Sequence, residues 1–108
     1  HKARLVKKFL GKAKKNMSEA PAFYVSLEAA LHNYLKARLQ IQTADFSKEK
    51  MQKLLSDKGV EEDTLVLFIQ VLTNCELVRY APSSRSSMEQ DYETAVNAIT
   101  QMDKQFKS

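Results

Sequence analysis

Residues Leu65–Ser84 read LVLFIQVLTNCELVRYAPSS and contain the most hydrophobic run of the chain. Their apolar side chains recur at helical spacing, which predicts an α-helix. The stripe consists of Leu65, Phe68, Ile69, Leu72 and Cys75, and Val66, Val71 and Val78 widen it. So wide a stripe predicts a central helix that is buried on most of its circumference, with the other helices packed around it. Pro82 cannot continue the helix and marks the corner at its exit.

The amino-acid composition limits the fold class of the whole chain. The chain has 108 residues, 44% of them hydrophobic and 28% charged, which suits one soluble globular domain. It has only two glycines and two prolines, whereas an all-β chain needs many turn residues. We therefore predict an all-α fold.

Four other segments show helical patterns. They span residues 2–16, 22–39, 48–58 and about 88–106. Ser47 is placed to cap the third helix and Gly59 to end it, while Ser87 or Ser86 can cap the last one. On the last helix, Asp91 belongs to the polar face. Short connections then predict a compact bundle of about five helices whose neighbours are antiparallel.

The first helix is strongly basic. Seven of the 17 basic residues precede Asn16 with no acid among them, whereas the rest of the chain has ten basic and 13 acidic residues. The seven are Lys2, Arg4, Lys7, Lys8, Lys12, Lys14 and Lys15. They flank an apolar stripe, so the segment is a basic amphipathic helix. It suits an anionic membrane surface, nucleic acid or an acidic protein, and the alternative is a helix packed on the domain with a solvated lysine face.

These patterns divide the chain into two parts. Residues 1–16 form a juxtamembrane-like basic helix that packs on the domain or leads into it, and residues 17–108 form the helical domain. No apolar run reaches the roughly 18 residues of a membrane span. Because His1 is not a translation start, we expect the chain to be part of a longer protein. A membrane span just upstream would place the basic helix on the cytoplasmic side.

The sequence contains no constellation of catalytic groups or metal ligands. Cys75 has no second cysteine to pair with, which indicates a buried thiol and a reducing compartment. His32 lacks a second histidine, a cysteine or paired carboxylates one turn away, which predicts a plain surface histidine. The serines between positions 83 and 87 have no visible histidine base with an acidic orienter. We therefore predict that the chain is not an enzyme and has no metal or cofactor.

Several segments together resemble a known family. In order, they are AFYVSLEAALHNYLKARL, LLSDKGVEEDT, CELVRYAPSS and SMEQDYETAVNAITQMD. With the basic leader, they look like the C-terminal cytosolic domain of the BatD-type aerotolerance (oxygen-tolerance) proteins of Bacteroidetes and related bacteria. The resemblance covers nearly the whole chain, and residues 75–84 are its most specific part.

The resemblance implies a membrane-anchored protein with β-rich extracytoplasmic domains, one membrane span and this helical domain on the cytoplasmic side of the inner membrane. It also implies protein partners, which include a MoxR-type AAA+ ATPase and von Willebrand factor A domain proteins. The expected function is therefore that of a cytosolic protein-interaction domain within such a complex.

The exit of the central helix is a candidate partner-binding site. Arg79, Tyr80, Ser83 and Ser84 lie together in the sequence, and arginine and tyrosine are frequent energetic centres of interfaces. Their alternative role is structural, because an arginine complements the negative end of a helix dipole. If the site binds a partner, Tyr80→Ala weakens binding without lowering the thermal midpoint.

Two other functions compete with this interpretation. A nucleic-acid-binding domain could act through the basic first helix, but the body is net acidic and no helix-turn-helix pattern with a basic recognition helix is present. A tetratricopeptide-like scaffold would need a repeat of about 34 residues, which does not recur.

Overall fold

Five α-helices make up the part of this chain that the structure describes. A computed structural model describes the backbone of residues 2–78 and 85–106 and the side chains of residues 4–78 and 87–106. The helices are α1 (Lys2–Lys15), α2 (Ala20–Leu39), α3 (Lys48–Asp57), α4 (Glu62–Leu77) and α5 (Arg85–Gln105). No strand occurs in these ranges. The predicted all-α bundle is confirmed.

Helix α4 is not the single buried centre that the hydrophobic run predicts, because α2, α4 and α5 each pack against three other helices. Helix α2 packs against α1, α4 and α5, and Phe23, Leu27 and Leu31 on it are fully buried. On α4, Val66 and Leu77 are 57% and 56% exposed. The prediction is wrong because it counts apolar residues around α4, whereas only the side of α4 that meets its neighbours is buried.

Helices that are consecutive in the chain mostly run antiparallel, but α2 and α5 run in the same direction. The phenol of Tyr24 donates a hydrogen bond to Asp91 Oδ2 at 2.5 Å, and that of Tyr34 donates to Asp103 Oδ1 at 2.7 Å. Both tyrosines lie on α2 and both aspartates on α5, in the same order along each helix. The prediction that all neighbours are antiparallel is therefore wrong for this pair.

The last helix begins earlier and is buried more widely than the sequence predicts. It starts at Arg85, so Ser86 and Ser87 belong to its first turn and do not precede it as caps. Asp91, predicted on the polar face, is only 7% exposed, and Ala98 is fully buried. Helix α5 contacts α1, α2 and α4, which is why a single polar face does not describe it.

Two of the predicted helix signals are confirmed around α3. Ser47 is the N-cap, and its side-chain oxygen accepts a hydrogen bond from Lys50 N at 3.1 Å. Gly59 has a φ of 99°, a left-handed conformation that glycine adopts without steric cost. These local signals need no tertiary contact, which explains why the sequence identifies them.

Asp91 ties three helices together. Besides the Tyr24 phenol of α2, its carboxylate accepts a hydrogen bond from Asn74 Nδ2 of α4 at 2.8 Å. All three side chains are at least partly buried. Since an unmatched buried polar group costs free energy, the three residues act as a specific connection between α2, α4 and α5.

We predict that Asp91→Ala lowers the free energy of unfolding by about 3 kcal/mol, because it removes two hydrogen bonds and leaves the Tyr24 hydroxyl and the Asn74 amide without their acceptor. Urea denaturation followed by circular dichroism measures the loss. Glu93→Ala is the control, since it removes a carboxylate from an exposed position of the same helix and should change stability by less than about 0.5 kcal/mol. Equal losses in the two variants would contradict a special role for Asp91.

Candidate functional site

The apolar stripe of α1 is part of the hydrophobic core. Leu10 and Ala13 are fully buried, and Leu5, Val6 and Phe9 pack against the core with part of their surface exposed. The Phe9 ring also meets the Tyr34 ring edge to face, with centroids 5.2 Å apart. Helix α1 thus packs on α2 and α5 through the face that an interfacial membrane helix would insert into lipid.

The basic residues of α1 remain in solvent. Exposed side chains are those of Arg4, Lys7, Lys8, Lys12, Lys14 and Lys15, while the side chain of Lys2 lies outside the described part. They occupy two sides of the helix, because Lys7, Lys14 and Lys15 lie towards α5, whereas Arg4 and Lys8 lie next to the end of α2. The packing therefore fixes the backbone from which these cations project on the domain surface.

A surface groove runs between α1 and α5, and we call it the α1/α5 groove. Its volume is about 820 Å³. Helix α1 contributes Val6, Lys7, Gly11, Lys14 and Lys15, and α5 contributes Tyr92, Glu93 and Val96. The lining combines apolar and aromatic groups from both helices with three lysines, all of them on the α1 side. None of these lysines forms an ion pair with an acid in the described residues, so their charges are available to a bound partner.

Gly11 has an unusual position in this groove. It lies inside α1, and a Cβ atom built on it would meet no other atom within 4 Å. Glycine in a helix interior costs about 1 kcal/mol relative to alanine. The described packing of the chain does not require this small residue, because a larger side chain has room.

A smaller pocket of about 280 Å³ lies on the other side of α1, near the ends of α2 and α5. Asp103 is its main acid, and it accepts the Tyr34 hydrogen bond while Arg38 Nε lies 3.4 Å from the same oxygen. Burial, reinforced by the hydrogen bond to Asp103, raises the pKa of Tyr34, so its phenol stays protonated. Because Asp103 is satisfied by these neighbours, the pocket is explained as a structural junction.

His32 is not the plain surface histidine that the sequence predicts. Its ring is half-buried, and Nδ1 lies 2.7 Å from Thr43 Oγ1 in the α2–α3 connector. Burial lowers the pKa of His32, and the nearby Glu28 carboxylate only partly opposes this. The residue anchors the connector on α2, a role that its sequence neighbours do not reveal.

Cys75 and the potential metal ligands are the remaining chemical groups. Cys75 is buried, as predicted. No group of three histidine, cysteine or acidic side chains could hold a metal ion within the described residues. Among the same residues, no helix is long and apolar enough to span a bilayer.

The predicted recognition patch cannot be placed on this surface. Arg79, Tyr80, Ser83 and Ser84 lie outside the described residues. Their predicted roles, as a helix exit or as a partner-binding site, stay predictions.

Comparisons with known proteins add no family to these observations. No protein-family model, no curated protein and no solved structure matches the chain.

Sequence reasoning identifies only one wall of the α1/α5 groove. The basic residues of α1 are recognisable from charge alone, but Tyr92, Glu93 and Val96 belong to a helix that is more than 75 residues away in the chain. Nothing in the sequence pairs these segments. Gly11 in the middle of the basic helix is the one local signal that could have drawn attention to this site.

We predict that His32 makes stability depend on pH. Its folded-state pKa lies below its ordinary value of 6.5, so the unfolded chain binds more protons between the two pKa values. This contribution to stability is complete above about pH 6.5 and is lost as the pH falls through that window. The measurement is the urea midpoint at several pH values from about 7.5 to 5.

The control for this prediction is His32→Asn, which keeps a polar group near Thr43 but does not titrate in the same range. The variant should lose a smaller part of its stability on acidification than the wild type. Identical losses in the two proteins would contradict the assignment to His32.

Proposed function

We propose that this chain is a protein-interaction domain that binds an acidic partner surface through α1. The observation that carries the proposal is that α1 buries its apolar stripe in the core and leaves its described cations exposed on a packed helix. A positively charged surface of this kind accelerates encounter with an acidic surface and disfavours basic ones. The fixed helix also lowers the entropy that must be lost on binding.

The resemblance to the BatD-type aerotolerance proteins supports a more specific form of the proposal. In that form, the domain belongs to a membrane-anchored protein, lies on the cytoplasmic side of the inner membrane and contributes to a complex with a MoxR-type AAA+ ATPase and von Willebrand factor A domain proteins. The basic leader and the segments at residues 22–39, 54–64, 75–84 and 87–103 carry this resemblance.

In this setting α1 is the juxtamembrane segment. Lysines near an anionic membrane each contribute roughly 1 kcal/mol of attraction, which falls off within a Debye length. Because Leu10 and Ala13 are buried in the core, α1 can approach lipid through its cations while its apolar stripe stays packed. Any attraction of this domain to lipid is therefore electrostatic.

We predict that the domain floats with phosphatidylglycerol-containing liposomes in low salt and is released by about 0.5 M NaCl. Neutral phosphatidylcholine liposomes are the control and should retain no protein. Binding to anionic liposomes that persists at high salt would contradict the electrostatic mechanism, because it would require insertion of apolar residues.

We predict that reversing the charge of α1 weakens binding to a purified MoxR-type ATPase or von Willebrand factor A protein at least tenfold. The variant carries Lys7→Glu, Lys12→Glu and Lys14→Glu, three exposed positions, so the core stays intact. Biolayer interferometry at two salt concentrations measures affinity, and wild-type affinity should fall as salt rises.

The matched control carries Lys36→Glu, Lys58→Glu and Lys104→Glu, which changes the net charge equally at exposed positions outside α1. It should bind like the wild type. Equal weakening in both variants would show a non-specific charge effect and contradict the proposal. Tight binding to duplex DNA or RNA, with no binding to the two proteins, would instead favour the nucleic-acid alternative.

A further inference from the structure

We infer that the α1/α5 groove is a docking site for an amphipathic helix of a protein partner, with acidic residues along the side that meets α1. This inference rests on the proposed function and names the segment of the partner that the basic surface selects. It combines three features of the groove: a partly apolar lining, a one-sided row of cations and a glycine that no contact among the described residues requires.

The shape of the groove suits a helix. From Val6 to Lys15 the α1 wall rises about 14 Å, or two and a half helical turns. The groove is open to solvent, whereas sites for small molecules enclose most of their ligand. A partner helix that binds along two other helices buries only its apolar face, so its site does not have to enclose it. Val6 is half-buried and Tyr92 and Val96 are each 7% exposed, so such a face would cover the apolar surface that these three residues leave at the groove.

The charges of the groove specify the partner's polar flanks. Lys7, Lys14 and Lys15 line the α1 wall, and the acid on the α5 wall is Glu93. A docked helix is therefore expected to carry glutamate or aspartate on the flank towards α1, and a basic residue is tolerated on the flank towards α5. This pattern discriminates among amphipathic helices, because a basic flank against α1 would be repelled.

Gly11 explains how the partner approaches. A helix interior favours alanine over glycine, and a Cβ at this position would point into open space. An approaching helix comes closer to the α1 backbone where a side chain is missing. The residue is therefore unfavourable for the isolated domain and favourable for docking.

The experiment uses a displayed library of helical peptides. Their apolar positions vary among Ala, Leu, Ile, Met and Phe, and their flanking positions vary among Glu, Gln and Lys. The wild-type domain should enrich peptides with one glutamate-rich flank. Enrichment of lysine-rich peptides, or of no helical pattern, would overturn the inference.

The affinity of the enriched peptide for variants of the domain is then measured by fluorescence anisotropy. Gly11→Gln should raise the thermal midpoint by about 4 °C, because glutamine favours the helix, and should weaken peptide binding at least tenfold, because its side chain occupies the groove. Misfolding cannot produce this combination. Gly11→Gln with unchanged peptide affinity would overturn the inference.

A matched pair of charge reversals tests whether the peptide binds in the α1/α5 groove. Lys14→Glu should weaken binding at least tenfold, whereas Lys12→Glu, on the same helix but outside the groove, should change it less than threefold. Equal effects of the two substitutions would overturn the inference. Dodecanoate is the competing small amphiphile, and its binding in the groove with no peptide binding would also overturn the inference.

The same variants separate this inference from the proposed function. If Lys7, Lys12 and Lys14 reversals abolish binding of the purified partner protein but Gly11→Gln does not, the docking site is wrong and the interaction domain stands. If the library peptide binds as described but the purified proteins do not, the groove stands and the proposed partners are wrong.

Discussion

Two tyrosine–aspartate hydrogen bonds, one buried and one partly buried, set the arrangement on which the rest of this fold depends. Tyr24 and Tyr34 of α2 each reach an aspartate of α5, at Asp91 and Asp103 respectively. Two such contacts, about 15 Å apart along α2, define both the direction and the register of α5. Any slip of one helix along the other would leave buried polar groups unmatched, and that cost disfavours alternative packings. Apolar contacts supply the bulk of the stability, but they are less selective about register.

The position of α1 follows from this core and creates the candidate site. With α2 and α5 side by side, α1 packs its apolar stripe against both. A helix that is amphipathic in isolation could equally insert into lipid, yet here the stripe is used inside the domain. What remains exposed is a row of cations and, beside α5, a groove with a partly apolar lining. The same packing that stabilises the domain therefore determines which surface is left for a partner.

The error about the central helix has a clear physical origin. A high content of apolar residues identifies a segment that must bury some surface, but the position of its neighbours decides which of its residues are covered. Helices α2 and α4 each have three neighbouring helices, yet Val25 of α2 is 70% exposed and Val66 of α4 is 57% exposed. Asp91 shows that a polar residue can also be buried. Its carboxylate accepts hydrogen bonds from donors on two other helices. Neither outcome can be predicted from one helix alone.

The sequence by itself determined the all-α class, the number of helices, local signals such as the Ser47 cap and Gly59, and the cluster of cations on α1. All of these depend on interactions within one helix or turn, and so on residues close together in the chain. Only the tertiary structure decided that α2, α4 and α5 share the centre of the bundle, that α2 and α5 run parallel, that His32 is half-buried and that α5 supplies the second wall of the groove. These features depend on contacts between segments tens of residues apart, where many pairings satisfy the same hydrophobic pattern and three-dimensional packing selects one.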